Sequence, residues 1–327
     1  MSRLLFTLGI IAFGLILGYC LKRVFERGTI RPPLPLPDLR KILQKFALWF
    51  VMPVTFMGAI WIVKVDDLRV AAMPVLGAVA LLLGGAAALI LAKMMNLTRR
   101  QTGSFFVCGS FTNLGAIGGL VVFVFLGEAG YALVPLYKLL EEMVYYTIGF
   151  PVARHFSAES GGRVSFVRRI VGVLIDPFFL VALISIGLGI ILNLAGVKRP
   201  EFYRTVNAVF IPFGTLVLLT SIGLSLRLSS IREYLRESLA VAGIKFILVP
   251  CTVTAMALGL GYCQINHGLP LKVVLLLGSM PVAFNSLVAP SIYDLNIDLA
   301  NACWLLSTLA LAVVLPLLYV LIQWTPC

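Results

Sequence analysis

Two apolar stretches of the chain are interrupted by polar and helix-breaking residues at matching places. The first carries Ser110, Thr112, Asn113 and Gly115, then Gly118 and Gly119; the second carries Ser279, Pro281, Asn285, Ser286 and Pro290. Gly109-Ser110 in one answers Gly278-Ser279 in the other. Each break leaves two half-helix ends inside a membrane-length segment. The N-terminal ends carry partial positive charge and free N–H groups, which favour a carboxylate. The C-terminal ends and unwound carbonyls favour a cation. The amides of Asn113 and Asn285 can hold a carboxylate without a permanent charge. Gly115 allows close backbone approach, and Pro281 removes a donor. Taken singly, either break reads as tight glycine packing beside a kink. Two breaks at equivalent positions read as interrupted segments around a binding site.

A second set of chemical groups is Lys138, Glu141 and Glu142. Counting in from Tyr131 at 1.5 Å per residue puts Glu141 roughly 15 Å deep, near the bilayer midplane. Ionisable groups at that depth are expensive and functional by default. Lys138 reaches either glutamate at i,i+3 or i,i+4 spacing. Two readings stand: a glutamate carries a coupling proton while the lysine offers charge to an anion, or the groups form a structural ion pair. Lys245 lies roughly ten residues into its apolar run, where it either snorkels or faces the site, and it ranks below the breaks. His155 and His267 both fall in loops, and no acidic pair has metal-ligand spacing. No cofactor or metal is called for, and an intramembrane enzyme would lack its nucleophile, base or metal set.

The elements that must position these residues are membrane helices. The 327 residues are 60% hydrophobic and 12% charged, with a mean hydropathy of +1.03. That balance describes an integral membrane protein. Ten apolar runs are long enough to span: 4–21, 41–63, 70–93, 101–126, 131–153, 171–194, 205–226, 235–262, 270–293 and 299–323. Their continuity argues against a transmembrane barrel. The net charge of +12 is distributed as a topology signal and implies no nucleic acid. Lys22, Arg23, Arg27, Arg31, Arg40 and Lys41, then Lys93, Arg99 and Arg100, then Arg154, Arg163, Arg168 and Arg169, then Arg227, Arg232 and Arg236 fall in loops of one side. The positive-inside rule makes that side cytoplasmic and puts both termini outside. The six cysteines read as small buried apolar residues. Lys22 and Arg23, directly after the first run, suit an N-out span better than a cleaved leader.

Ten spans divide as five plus five, and an odd number per half sets the halves in opposite senses. The breaks fall in the fourth span of each half. The expected architecture is therefore all-α: a 5+5 inverted repeat with residues 1–156 as one half, a linker at 157–170 and residues 171–327 as the other. The fourth and ninth helices are broken and cross at the midplane. The proline run from Arg31 to Pro37 reads as a stiff cytoplasmic connection.

Along its whole length the chain resembles the auxin efflux carrier family of bacterial permeases, relatives of the plant auxin exporters. The resemblance rests on Ala47-Leu-Trp-Phe-Val-Met-Pro53, Thr112-Asn113-Leu-Gly115-Ala-Ile-Gly118, Asp176-Pro177, Met280-Pro281-Val-Ala283, Ser307-Thr308 and Leu315-Pro316, in that order. It departs at Gly118-Gly119, where many relatives have Gly-x-Pro. It implies the fold of bile-acid-type sodium symporters, with a panel domain, a crossover domain and elevator-like motion. It also implies small organic anions such as malate, malonate or auxin-like acids as substrates, a cytoplasmic-membrane location and a homodimer. The substrate and the coupling ion, proton or sodium, stay open. A sodium-coupled symporter of the bile-acid type and a non-transporting membrane sensor are the alternatives. Sodium sites want several oxygen ligands, and neither break holds a carboxylate.

Overall fold

The computed structural model describes residues 2–28, 34–62, 67–157, 170–172, 174–226 and 232–324. Arg31, Lys64, Arg163, Arg168, Arg169, Arg227, most of the 157–170 linker and the first prolines after Arg31 lie outside the described residues. In chain order the helices are α1 (Ser2–Glu26), α2 (Leu36–Ile60), α3 (Met73–Met94), α4 (Arg99–Ser110), α5 (Gly119–Tyr131), α6 (141–155), α7 (Pro177–Leu194), α8 (Phe202–Gly223), α9 (Leu235–Gly259), α10 (Leu269–Gly278), α11 (Asn285–Ile292) and α12 (Ile297–Trp324). No strand occurs among the described residues.

Seven helical runs among the described residues are long and apolar enough to cross a bilayer: α1, α2, Leu68–Met94, Leu114–Tyr131, α8, α9 and α12. Where the sequence reads further spans, the helix is shorter. Within 131–153 the helix is α6, beginning only at Glu141; within 171–194 it is α7, of 18 residues; and within 270–293 it is α10 and α11, of 10 and 8 residues, against the ~20 that cross a bilayer. The outward faces are apolar as well. On α12, Leu309, Val313 and Leu317 are exposed while Leu311, Leu315 and Leu318 are buried. A helix apolar all round belongs in lipid.

Local chemistry sets the helix ends. Thr98 and Gln101 form a reciprocal capping box at the start of α4, satisfying two otherwise orphan donors. α7 opens at Pro177, directly after Asp176, where a missing N–H does no harm. Besides the π-type turn Leu114–Gly118 that leads into α5, three helices contain a widened π-type turn of their own: Ala47–Val51 in α2, Tyr145–Gly149 in α6 and Ile244–Leu248 in α9. Each ends two residues before a proline: Pro53, Pro151 or Pro250. Proline offers no N–H, and its ring crowds the carbonyl four residues back. That carbonyl lies inside the widened turn each time, and the extra residue takes up its displacement.

The chain divides into two compact units, each drawing on both halves of the sequence. Unit 1 comprises Met1–Asp66, Gly115–Pro135 and Pro177–Leu226; unit 2 comprises Asp67–Leu114, Leu136–Asp176 and Arg227–Cys327. In unit 1, α1 packs along α8 and α2 packs against α7 and α8. A bidentate ion pair ties α5 to the turn before α8: Arg199 Nη2 lies 2.8 Å from Glu128 Oε2, and Nη1 3.2 Å from Oε1. In unit 2, α3 packs on α4 and α9, while α9 and α12 pack together. Its core includes Leu81, Phe106, Phe111, Tyr145 and Ala283. The cysteines depart from the expected small buried role. Cys108 and Cys303 are buried, but Cys20 and Cys251 are exposed, and Cys263, in a short turn after α9, is disulfide-bonded.

Two helix contacts have no room for a side chain. A Cβ on Gly18 of α1 would collide with the Thr220 carbonyl of α8, and one on Gly84 of α3 with the Gly109 carbonyl of α4. Nothing lies within 4 Å of a Cβ at Gly9. Gly18→Leu and Gly84→Leu should each lower stability in detergent by at least about 1–3 kcal/mol, with Gly9→Leu close to wild type. Thermal unfolding followed by tryptophan fluorescence checks this; equal midpoints for all three would remove the close-packing account.

Candidate functional site

The two interruptions meet inside unit 2. α4 ends at Ser110, and Phe111 turns to extended backbone. α10 ends at Gly278, and the chain is non-helical until α11. Thr112 and Val282 form an antiparallel bridge. The Asn113 N–H donates to the Pro281 carbonyl at 2.9 Å, and the Ala283 N–H donates to the Phe111 carbonyl at 3.1 Å. The Val282 N–H finds the Ser307 hydroxyl of α12 at 3.2 Å. Main-chain groups released by the broken helices thus pair with each other, as a low-dielectric interior demands.

Around this bridge lies a set of buried polar side chains. Lys245 projects from the π-type turn of α9 and is 0% exposed. Its Nζ donates to the Ser110 carbonyl at 3.1 Å and to Thr112 Oγ1 at 2.7 Å. It pairs with no carboxylate among the described residues. Tyr145 projects from the corresponding turn of α6, and its ring packs on Phe111 with centroids 4.0 Å apart. Its hydroxyl accepts the Thr112 N–H at 3.1 Å. The hydroxyl proton has two acceptors, Glu141 Oε1 at 3.0 Å and the Thr112 carbonyl at 3.2 Å. Glu141 Oε2 lies 3.1 Å from Lys138 Nζ. Thr112 is therefore held on three sides: its N–H and carbonyl by Tyr145, and its hydroxyl by Lys245.

The residues singled out in the sequence separate into groups. Ser110, Thr112, Asn113, Pro281 and Lys245 come together at the bridge, and Lys138 and Glu141 approach it through Tyr145. Ser110 Oγ donates to the Leu81 carbonyl of α3 at 3.0 Å. The hydroxyls of Ser279 and Ser286 donate locally, to Leu275 and Ala283 carbonyls. Asn285 opens α11 and is exposed. Glu142 follows Glu141 and is half-buried. Gly115 belongs to unit 1. There it lines a cavity of about 10 Å³ with Thr55, Tyr131 and Thr215, about the size of one water.

Tyr145 was not singled out from the sequence, because an aromatic in an apolar run reads as packing. Its signal was the i,i+4 spacing from Glu141, which lets a phenol reach a buried carboxylate. Lys245 lies at the bridge. The arrangement offers a buried cation with one N–H unassigned to any described protein acceptor, beside main chain turned out of its helices. That is chemistry for holding an anion.

Comparison with known proteins agrees with a membrane role. The family described as membrane transport protein matches residues 34–319, a range that contains both interruptions, Lys138, Glu141 and Lys245. An uncharacterized transporter of Methanothermobacter thermautotrophicus is 26% identical over 245 residues, covering 75% of this chain and 76% of that protein.

The Lys138–Glu141 pair generates a stability prediction. The side chains are 20% and 7% exposed, so removing one partner strands a buried charge. Lys138→Met should destabilise the protein by about 3–5 kcal/mol. The double variant Lys138→Met/Glu141→Leu should recover most of that loss. Denaturant unfolding in micelles reads both, and equal stability of single and double variants would show that the pair is not coupled.

Proposed function

The chain belongs to the auxin efflux carrier family of membrane transport proteins, and from that premise we propose that it moves small organic anions across the cytoplasmic membrane as a secondary transporter or uniporter. It is a multi-pass membrane protein. The observation that carries the anion reading is Lys245. An ammonium buried without a counter-charge is worth several kcal/mol of penalty. At Lys245 only a carbonyl and a hydroxyl offset that penalty. A substrate carboxylate supplies the missing charge, and binding is strong because the cation is already desolvated and held in place.

In this reading the ten apolar runs form a 5+5 inverted repeat with both termini outside. The segments around Thr112 and Val282 are the crossing point of the fourth and ninth spans. Unit 2, which contains the bridge and Lys245, is the moving part of an elevator. Asn113 adds an amide to the site, and Glu141 or Glu142 takes the coupling proton. Sodium coupling is the second reading, and it would need oxygen ligands other than carboxylates, since neither break holds one.

The test is uptake of labelled mono- and dicarboxylates into proteoliposomes under a proton gradient, a sodium gradient, an imposed potential or none. Wild type should show saturable carboxylate uptake, and Lys245→Met should abolish it. Asn113→Ala should weaken binding by about 1.5–3 kcal/mol, roughly tenfold to a hundredfold. Proton-driven uptake whose pH dependence disappears in Glu141→Gln or Glu142→Gln assigns the coupling group. Uptake that requires sodium replaces proton coupling with the second reading, and no carboxylate flux under any condition rejects anion transport.

A further inference from the structure

The charges at membrane depth bear on which anions fit. Around the bridge in unit 2 stand Lys138, just before α6, Glu141 and Glu142, the first two residues of α6, and Lys245, inside α9. Lys138 is taken: its Nζ sits 3.1 Å from Glu141. Lys245 is left as the positive charge with no carboxylate partner among the described residues. The other ionisable groups on the helices packed against α9 lie at their ends: Lys93 on α3, Arg99 and Arg100 on α4, Lys272 on α10 and Asp298 on α12. Cys108, a buried thiol of α4, contributes no positive charge. In unit 1 the buried cation Arg199 is already matched by the two oxygens of Glu128.

The donors give the same count. An ammonium has three N–H groups. Two of those on Lys245 are directed at Ser110 and Thr112, which leaves one for a ligand oxygen. From this geometry we infer that the site accepts one negative charge: a monocarboxylate, or a dicarboxylic acid in its singly protonated form. The inference rests on the anion-carrier reading and narrows its substrate class. A dianion would bring a second carboxylate into a low-dielectric site with no cation to meet it, and that uncompensated burial is what the structure selects against.

The test uses wild-type protein and a matched pair of competitors, succinate and its monomethyl ester, against uptake of labelled butyrate at pH 7.5. The two have the same carbon chain and differ by one negative charge. The ester should compete at least about tenfold better than succinate. Lowering the pH to 5.5 should improve succinate, as its monoanion becomes abundant, and leave the ester nearly unchanged. Succinate competing as well as its ester at pH 7.5 would overturn the one-charge inference while leaving anion transport intact. If no carboxylate, mono- or dianionic, is carried or competes, the anion reading fails and the charge count falls with it. Isothermal titration of the detergent-solubilised protein with the same pair separates binding from transport and should rank them in the same order.

Discussion

Main-chain amides and carbonyls in a membrane interior must be paired, and the rest of unit 2 depends on how that demand is met. A broken helix releases N–H and C=O groups with no water to take them. Here two broken helices satisfy one another through Phe111, Asn113, Pro281 and Ala283. The bridge is short, so its central residues still need partners. Val282 finds the Ser307 hydroxyl, and Thr112 finds the Tyr145 hydroxyl. Because Tyr145 serves the Thr112 backbone, the Thr112 side chain is available to Lys245. The polar cluster thus follows from backbone pairing.

The same logic explains why Tyr145 and Lys245 stand where they do. Each occupies a π-type turn imposed by a proline shortly after it. A widened turn shifts the register of the side chains that follow and re-aims those within it. Pro151 and Pro250 each remove one donor from their helices, and the compensating turns carry two of the polar groups that close the bridge. Buried polar networks of this kind hold one geometry when every member has a partner. The contacts of Thr112 on its N–H, carbonyl and hydroxyl meet that condition.

Much of this was legible in the sequence because membrane helices are read from composition and length. Long apolar runs, and the glycines and prolines inside two of them, are local properties. The pairing of Thr112 with Val282 is not, since 170 residues separate them and neither is a strong strand signal in its context. The hydrogen bonds of Lys245 are not legible for a related reason. Depth along a helix can be counted, but the helix face that a side chain presents depends on the register shift at Pro250. Asn285 reads from the sequence as the counterpart of Asn113, yet Asn113 is 6% exposed while Asn285 is exposed. The two breaks unwind differently: after Gly118 the chain re-enters α-helix at Gly119, whereas α11 begins at Asn285 itself.

Lys138 and Lys245 show two ways in which a lysine of unit 2 is held. Lys138 lies in the turn that leads into α6, and Lys245 lies in the π-type turn of α9. Lys138 has a carboxylate at 3.1 Å and retains some exposure, so its charge is neutralised within the fold. Lys245 is enclosed and has only neutral acceptors. A fold that needed Lys245 only for stability would do better with an apolar residue of similar length, because two hydrogen bonds to neutral groups do not offset the desolvation of an ammonium. In the proposed anion carrier a substrate carboxylate supplies that missing charge, and the bridge that fixes Thr112 keeps the lysine in place for it.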